Sequence, residues 1–334
     1  MRLVVTGGAG FIGSAFVRMV LGQDATATVT VLDKLTYAGN PENLLPVANH
    51  HGYRFVQGDI CDPSAIHEAI SDAPDAIVHF AAESHVDRSI LSPAPVFETN
   101  LRGTFTLLEA IREKKIARYL HVSTDEVYGS IEEPHDADEE YPLRTSSPYS
   151  ASKAGSDLLA LSYYTTYRCP VLLTRASNNY GPYQFPEKLI PLMISNALAG
   201  KPLPIYGDGL QVRDWLFVDD HCRAILAVLD KGREGQVYNV GGSRSLPNVE
   251  VVRMILKATG MPESLMVTVK DRPGHDRRYA LSSAKVERET GWRPEMPFEE
   301  GLAFTIDWYR SNSEWVRRVV SGEYQDYYKL NYTR

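Results

Sequence analysis

The stretch Thr6-Gly7-Gly8-Ala9-Gly10-Phe11-Ile12-Gly13 follows a short apolar run, Leu3-Val4-Val5, and leads into the amphipathic repeat of residues 11–21. A strand, a glycine-spaced turn and a helix are thereby expected in succession. Glycines at 7, 10 and 13 meet three needs of a dinucleotide loop: a tight turn, close approach of backbone to a pyrophosphate, and close helix-on-strand packing. The N–H groups and partial positive charge at the helix start then face the phosphates. Asp33 ends the next apolar run, twenty residues after Gly13. A carboxylate there holds ribose hydroxyls and repels a 2′-phosphate, which favours NAD over NADP. Asp59-Ile60, after the third apolar run, either reaches the adenine or simply caps its own loop.

Outward from the loop the same rhythm continues. Residues 29–32, 54–56, 76–79, 119–122 and 171–174 read as strands, and residues 63–70, 96–114 and 150–167 as helices. Short apolar strands separated by helices imply an α/β fold with a doubly wound parallel (Rossmann) sheet, covered on both faces. Such sheets bind ligands at the carboxyl ends of their strands. After about residue 180, prolines and glycines become frequent: Gly181-Pro182, Pro186, Pro191, Pro202, Pro204, Gly207 and Gly209. This marks a smaller, mixed C-terminal domain that closes over the first. The expected division gives residues 1–180 to the NAD-binding domain, with about 210–245 returning to it through a helix at 218–229 and a strand at 236–240. Residues 181–209 and 246–334 make the second domain. Residues 298–320 read as helical and carry Trp308 and Trp315 as core or interface residues.

Composition narrows the function classes. The chain has 334 residues, 43% hydrophobic and 23% charged, with 35 basic and 42 acidic side chains. That balance is ordinary for a globular protein, and the net −7 with no basic run argues against nucleic acid as a partner. No apolar run reaches the ~18–20 residues of a membrane span, and the first strand is too short for a signal peptide, so a cytoplasmic protein is expected. Cys61, Cys169 and Cys222 have no paired or metal-like spacing and read as reduced, buried thiols. His79, His85 and His121 also lack ligand spacing; no metal is expected.

Two further constellations carry chemistry. Tyr149 and Lys153 lie four apart at a helix start and share one face. A nearby ammonium and a positive nicotinamide ring favour the phenolate, so Tyr149 is a candidate base beside the cofactor. Ser123-Thr124-Asp125-Glu126-Val127-Tyr128-Gly129 lies at the carboxyl end of the fifth strand, where active-site groups belong. Consecutive residues on a strand face opposite ways, so Asp125 and Glu126 serve one substrate only if the chain has already left the strand.

Residues 7–13, 33–40, 81–89, 123–129 and 149–153 together resemble the dTDP-glucose 4,6-dehydratases, of the extended short-chain dehydrogenase/reductase superfamily. Residues 178–183, 185–191, 209–218 and 271–279 extend the likeness over nearly the whole chain. The glycine loop and the Tyr/Lys pair belong to the whole superfamily; the Thr-Asp-Glu triplet and Asp271-Arg272-Pro273-Gly274-His275 are more specific. The resemblance implies a lyase that oxidises C4 of the glucosyl group, eliminates water across C5 and C6, and returns hydride to C6. It gives Tyr149 the C4 proton and Thr124 the C4 oxygen, Glu126 the C5 proton and Asp125 the departing C6 hydroxyl. Unequal environments would set the two carboxyls in opposite protonation states.

The resemblance also implies a tightly held NAD. Phe11 and Ile12 would line its site with Asp33, Lys34, Leu35 and Thr36. Asp59, Ile60, Phe80, Ala81, Ala82, Glu83, Ser84, Thr99 and Asn179 would complete it. The dTDP-sugar would meet Ser84, Thr124, Asn178, Lys188 and Leu189. Farther along, Pro204, Ile205, Tyr206, Arg213 and Asn248 would join it, then Asp271 to His275 and Tyr332. Arg213 and Arg272 suit this role, since a guanidinium fork matches phosphate oxygens. A homodimer through the helices at 96–114 and 150–167 is implied as well. The rival readings are a nucleotide-sugar 4-epimerase or UDP-glucuronate decarboxylase, which have no use for paired carboxyls, and a non-catalytic NAD-binding regulator, which has none for the Tyr/Lys pair.

Overall fold

A computed structural model describes residues 1–242 and 244–321. The strands β1 (Arg2–Thr6), β2 (Thr28–Asp33), β3 (Tyr53–Gln57), β4 (Ala76–His79), β5 (Tyr119–Thr124) and β6 (Val171–Ala176) come first. They are followed by β7 (Asn178–Tyr180), β8 (Leu203–Tyr206), β9 (Val212–Phe217), β10 (Val237–Val240), β11 (Arg244–Pro247) and β12 (Met266–Val269). The main sheet has the order β10-β6-β5-β4-β1-β2-β3, with every pairing parallel. The doubly wound sheet is therefore present, and the strand at 236–240 does return to it as β10. The strand order reverses between β1 and β4, the switch point where such sheets open a crevice.

Helices α1 (Phe11–Gln23), α2 (Pro63–Ala69), α3 (Val86–Leu91), α4 (Ala94–Phe97), α5 (Thr104–Lys114) and α6 (Pro148–Tyr167) fill the connections of this half. Next come α7 (Leu189–Leu198), α8 (Val218–Lys231), α9 (Asn248–Thr259), α10 (Ala284–Thr290), α11 (Phe298–Ser311) and α12 (Ser313–Val320). One sheet face packs α1 and α8 through Phe16, Val17, Ile225 and Val228; the other packs α2, α5 and α6 through Ile66, Leu107, Ile111 and Ala160. Burial on both faces explains why strands such as β1, with Leu3-Val4-Val5, and β6, with Val171-Leu172-Leu173, carry continuous apolar runs.

Three departures from the sequence reading have physical causes. The helix expected over 96–114 is α4 and α5 joined by a π-helical segment, Glu98–Gly103. The wide turn sends the Asn100 amide inward, where it accepts from Glu83 N at 2.9 Å and donates to Glu83 O and Ser152 Oγ. The helical stretch at 298–320 breaks at Asn312, whose backbone leaves the helical region (φ −113°, ψ 37°) and whose side chain donates to Trp308 O at 2.8 Å. Cys61 is partly exposed, whereas Cys169 and Cys222 are buried as expected.

The second half is mixed. β7 pairs β9 in parallel, β11 pairs β9 antiparallel, and β12 pairs β8 in parallel. Its core gathers Ile190, Met193, Val251, Ile255, Phe298, Leu302, Tyr309 and Trp315. β9 serves both halves: Leu216 enters the core of the main sheet, while Trp215 and Phe217 enter the second core. Trp315 is buried and donates to Asn43 Oδ1, and Trp308 packs on Tyr183, so both tryptophans are core residues. Among the described residues no helix is long and apolar enough to cross a membrane.

Candidate active site

The crevice above the carboxyl ends of β1, β2, β4, β5 and β6 is a cavity of about 340 Å³. Its floor is the glycine loop. Gly7 has φ +70°, and an added Cβ would lie 2.5 Å from Ala81 N. A Cβ on Gly13 would lie 2.3 Å from Gly7 O. The loop is thus closed by backbone against backbone, and only glycine fits. Gly10 precedes α1, and no side chain caps that helix, which leaves its first N–H groups to an anion in the cavity. Asp33 closes β2 with Oδ2 on Ala9 N at 2.9 Å and Oδ1 on Leu35 N at 2.8 Å. The two bonds tie the carboxylate to the glycine loop and aim it along the crevice. This cradle fits a dinucleotide.

Lys34 and Thr36 line the cavity, as do Asp59 and Ile60. Asp59 pairs with Lys34 at 2.6 Å and also accepts from Cys61 N at 2.9 Å, so it caps its loop and faces the crevice at once. Leu35 turns away: its φ is +57°, and its side chain packs against the main-sheet core. Phe80, Ala81, Ala82, Ser84 and Thr99 form the next wall, and Asn179 lies across from them. The Asn179 side chain is held by His221 Nδ1 at 2.9 Å and donates to Ser177 O.

At the far end stand Thr124, Asp125, Glu126, Tyr149 and Lys153, all on the cavity surface. β5 stops at Thr124, and Asp125–Tyr128 forms a 3₁₀ turn capped by the Thr124 hydroxyl. The chain has therefore left the strand, and the alternation that would have parted the two carboxyls does not apply. α6 begins with Ser147 and Ser150 in a reciprocal capping box and Pro148 in the first turn. That fixed start puts Tyr149 and Lys153 on the face toward β5, where Lys153 Nζ donates to Val122 O at 2.8 Å.

The electrostatics separate these groups. Burial, then the charges of Glu126 and Asp214, push the Asp125 carboxyl well above the usual carboxylate range. Burial raises Glu126 as well, but Arg272, Lys188 and Arg213 all act to hold its charge. Asp125 Oδ2 has no protein partner. Burial brings Lys153 down to about 8, with Asp157 opposing the shift. Burial and the Glu126 charge push the Tyr149 phenol up, against a Thr124 hydrogen bond. The chain's own groups thus oppose the phenolate expected from the Tyr/Lys spacing, because desolvation of a buried phenol outweighs the ammonium one turn away.

Of the residues expected to hold a sugar nucleotide, Ser84, Thr124, Asn178, Lys188 and Leu189 line the cavity. Lys188 Nζ donates to Ser84 O at 2.8 Å across the crevice. Pro204, Ile205, Tyr206, Arg213, Asn248, Asp271, Arg272, Pro273, Gly274 and His275 lie outside its lining. Tyr206 and Arg272 meet on one carboxylate, Asp87, each at 2.8 Å. Asp271 is bonded by His275 Nδ1 at 2.6 Å and by Gln211. Arg213 is buried over the Tyr279 ring, and Asn248 is buried at the start of α9. Tyr332 falls outside the described residues. The three histidines have structural partners: His79 lies between Thr6 and Thr104, His121 between Tyr119 and Ser156, and His85 caps α3.

Several cavity residues escaped the sequence reading. Gln184, Phe185, Glu187 and His221 all line it. Glu187 is buried beside His85 Nε2 at 3.5 Å and is pushed up to about 7 by desolvation. A carboxylate inside the apolar run 185–191 was the available signal.

The family described as GDP-mannose 4,6 dehydratase matches residues 4–305. A dTDP-glucose 4,6-dehydratase of Shigella flexneri is 49% identical over 99% of both chains, and one of Streptomyces niveus is 52% identical over 96% of both. The crystal structure of DesIV, a dTDP-glucose 4,6-dehydratase from Streptomyces venezuelae with NAD and a dTDP ligand bound, superposes with a TM-score of 0.93. It is 52% identical and covers 96% of this chain and 100% of its own. A Thermus thermophilus UDP-glucose 4-epimerase in complex with NAD gives 0.86 at 34% identity, over 93% of this chain and 100% of its own. With whole-chain identity near one half and a shared fold, the chain belongs to the dTDP-glucose 4,6-dehydratase family.

Proposed function

We propose that the protein converts dTDP-glucose to dTDP-4-keto-6-deoxyglucose and water, as an NAD-dependent hydro-lyase. The observation that carries this reading is the 3₁₀ turn that presents Asp125 and Glu126 to one cavity in unlike electrostatic settings. Bound NAD supplies hydride acceptance at C4 and hydride return at C6. Tyr149 takes the proton of the C4 hydroxyl, with Thr124 fixing that oxygen. Lys153 keeps an ammonium near the phenol oxygen as it gains charge. The ketone formed at C4 acidifies the C5 hydrogen, which Glu126 removes. Asp125, held protonated by burial and by its neighbours' charges, gives its proton to the C6 hydroxyl as it leaves as water. Glu126 then returns a proton to C5.

On this reading Asp33 takes the adenosine ribose, and the glycine loop with Phe11 and Ile12 takes the pyrophosphate of NAD. Lys188, Arg213 and Arg272 face the diphosphate of the sugar nucleotide. All three also stabilise the Glu126 charge, which supports a shared anion region. The domain division follows: residues 1–180 and about 210–245 hold NAD, and the remainder holds the nucleotide sugar. We read the assembly as a homodimer through α5 and α6, whose side of the molecule exposes Phe97, Phe105 and Leu158. We place the reaction in the cytoplasm, where free thiols such as Cys61 persist.

A 4-epimerase shares the scaffold and the Tyr/Lys pair but has no role for Asp125 and Glu126. Incubation with dTDP-glucose in deuterated water separates the two readings. The dehydratase forms a C6 methyl group and places deuterium at C5; an epimerase returns dTDP-galactose with neither. Asp125→Asn should slow elimination by about 10²–10³-fold and leave C4 oxidation intact, seen as NADH absorbance that rises and persists. Elimination at the parent rate would remove Asp125 from its role.

A further inference from the structure

Behind the active site, out of reach of the cavity, runs a chain of buried polar contacts. Arg175 on β6 is surrounded by apolar strand residues and is only 3% exposed. Its Nε donates to Asp157 Oδ2 at 2.9 Å, and its Nη1 donates to the Tyr128 hydroxyl at 2.9 Å. Tyr128 donates onward to Asn239 Oδ1 at 2.8 Å, and its ring lies under the guanidinium with the centroid 5.0 Å from Cζ. Asp157 lies one helical turn beyond Lys153 on α6 and is fully buried. His121 Nε2 is 3.5 Å from Asp157 Oδ1. Burial keeps that imidazole neutral, which leaves Arg175 and Lys153 as the cations facing Asp157.

A buried ion pair is a poor source of stability. Its desolvation cost roughly cancels its attraction, and a well-packed apolar pair would serve the fold as well. What the pair does supply is position. Tyr128 is the last residue of the turn that carries Asp125 and Glu126. That turn is held only lightly by its own bonds: the Thr124 cap is 3.3 Å and Gly129 N to Glu126 O is 3.3 Å. Arg175 joins it, through Tyr128, to the helix that carries Tyr149 and Lys153.

We propose that Arg175 and Asp157 are positioning residues that register the turn bearing Asp125 and Glu126 against the helix bearing Tyr149 and Lys153, with the Tyr128 hydroxyl as the joint. The inference rests on the two-stage chemistry proposed above. Oxidation at C4 uses groups on the helix; elimination uses groups on the turn. Loosening the joint therefore slows the second stage more than the first.

The test is single-turnover kinetics of the NAD-loaded enzyme with dTDP-glucose, following NADH absorbance and the 6-deoxy product together. Tyr128→Phe keeps the ring and removes the joint. It should oxidise C4 at the parent rate and eliminate about tenfold more slowly, so that NADH accumulates. Arg175→Lys keeps the charge opposite Asp157 but loses the fork, and should show the same imbalance. Asp157→Asn should slow both stages, since it also faces Lys153. If Tyr128→Phe folds and partitions between the two stages as the parent does, the proposal is wrong, whatever its melting temperature. If Arg175→Lys does not fold, Tyr128→Phe alone decides. Failure of the parent enzyme to form NADH and 6-deoxy product would instead overturn the functional reading itself.

Discussion

The two ends of the crevice are built by different means. At the glycine loop the walls are backbone: Gly7 against Ala81, Gly13 against Gly7, Asp33 on the amides of Ala9 and Leu35. At the opposite end polar and charged side chains hold one another across long sequence separations: Lys188 reaches Ser84 across the crevice, and beyond its lining Asp87 grips Tyr206 and Arg272. A site made of backbone is steric and tolerates almost no change. A site made of ion pairs is tunable, and its parts can be altered one at a time.

The steepest way to break this contrast is Gly13→Ala. Its new methyl group meets a carbonyl oxygen that cannot move without reshaping the turn, at a cost of about 3 kcal/mol. The purified protein should lose its NAD on gel filtration. Stoichiometric retention would show that the loop is as pliable as the other end. Next comes Arg272→Gln, which removes one fork from the sugar end. It should weaken dTDP-glucose by about 2 kcal/mol, on the order of thirtyfold in KM, and leave NAD content unchanged. Loss of NAD along with substrate would mean that the two ends are coupled.

The smallest effect sharpens the boundary between them, where Glu187 sits. Its folded carboxyl is pushed up to about 7, above the unfolded value, so the fold favours its protonated form. That contribution is full below the unfolded value and is lost as pH rises toward 7. Glu187→Gln carries no such loss. The melting curve of the holoenzyme should therefore gain on the parent by about 1 kcal/mol between about pH 6 and about pH 8. A pH-independent difference would show that the carboxyl is already ionised in the fold.

The same contrast explains what could be read in advance. Backbone-built features follow from local sequence: glycines spaced by three, Asp33 at a strand end, Tyr149 and Lys153 four apart at a helix start. The main sheet was legible for this reason, down to the return of residues 236–240. The 3₁₀ turn at Asp125 was legible only as a condition that the chemistry would need. Asp87 with Arg272, and Tyr128 with Arg175, lie 185 and 47 residues apart, and no periodicity announces such partners. The π-helical segment was hidden because its pattern is helical to within one residue. Asn100, a polar residue buried within a helical pattern, was its trace.

The shared strand β9 has a bearing on ligand traffic. Trp215 and Phe217 are anchored in one core and Leu216 in the other, so swinging the halves apart would uncover both at once. Ligand exchange that leaves both cores intact then falls to the cavity's own lining, such as the segments around Thr36 and Phe185. A molecule organised this way can exchange its sugar nucleotide many times while the dinucleotide beneath stays enclosed.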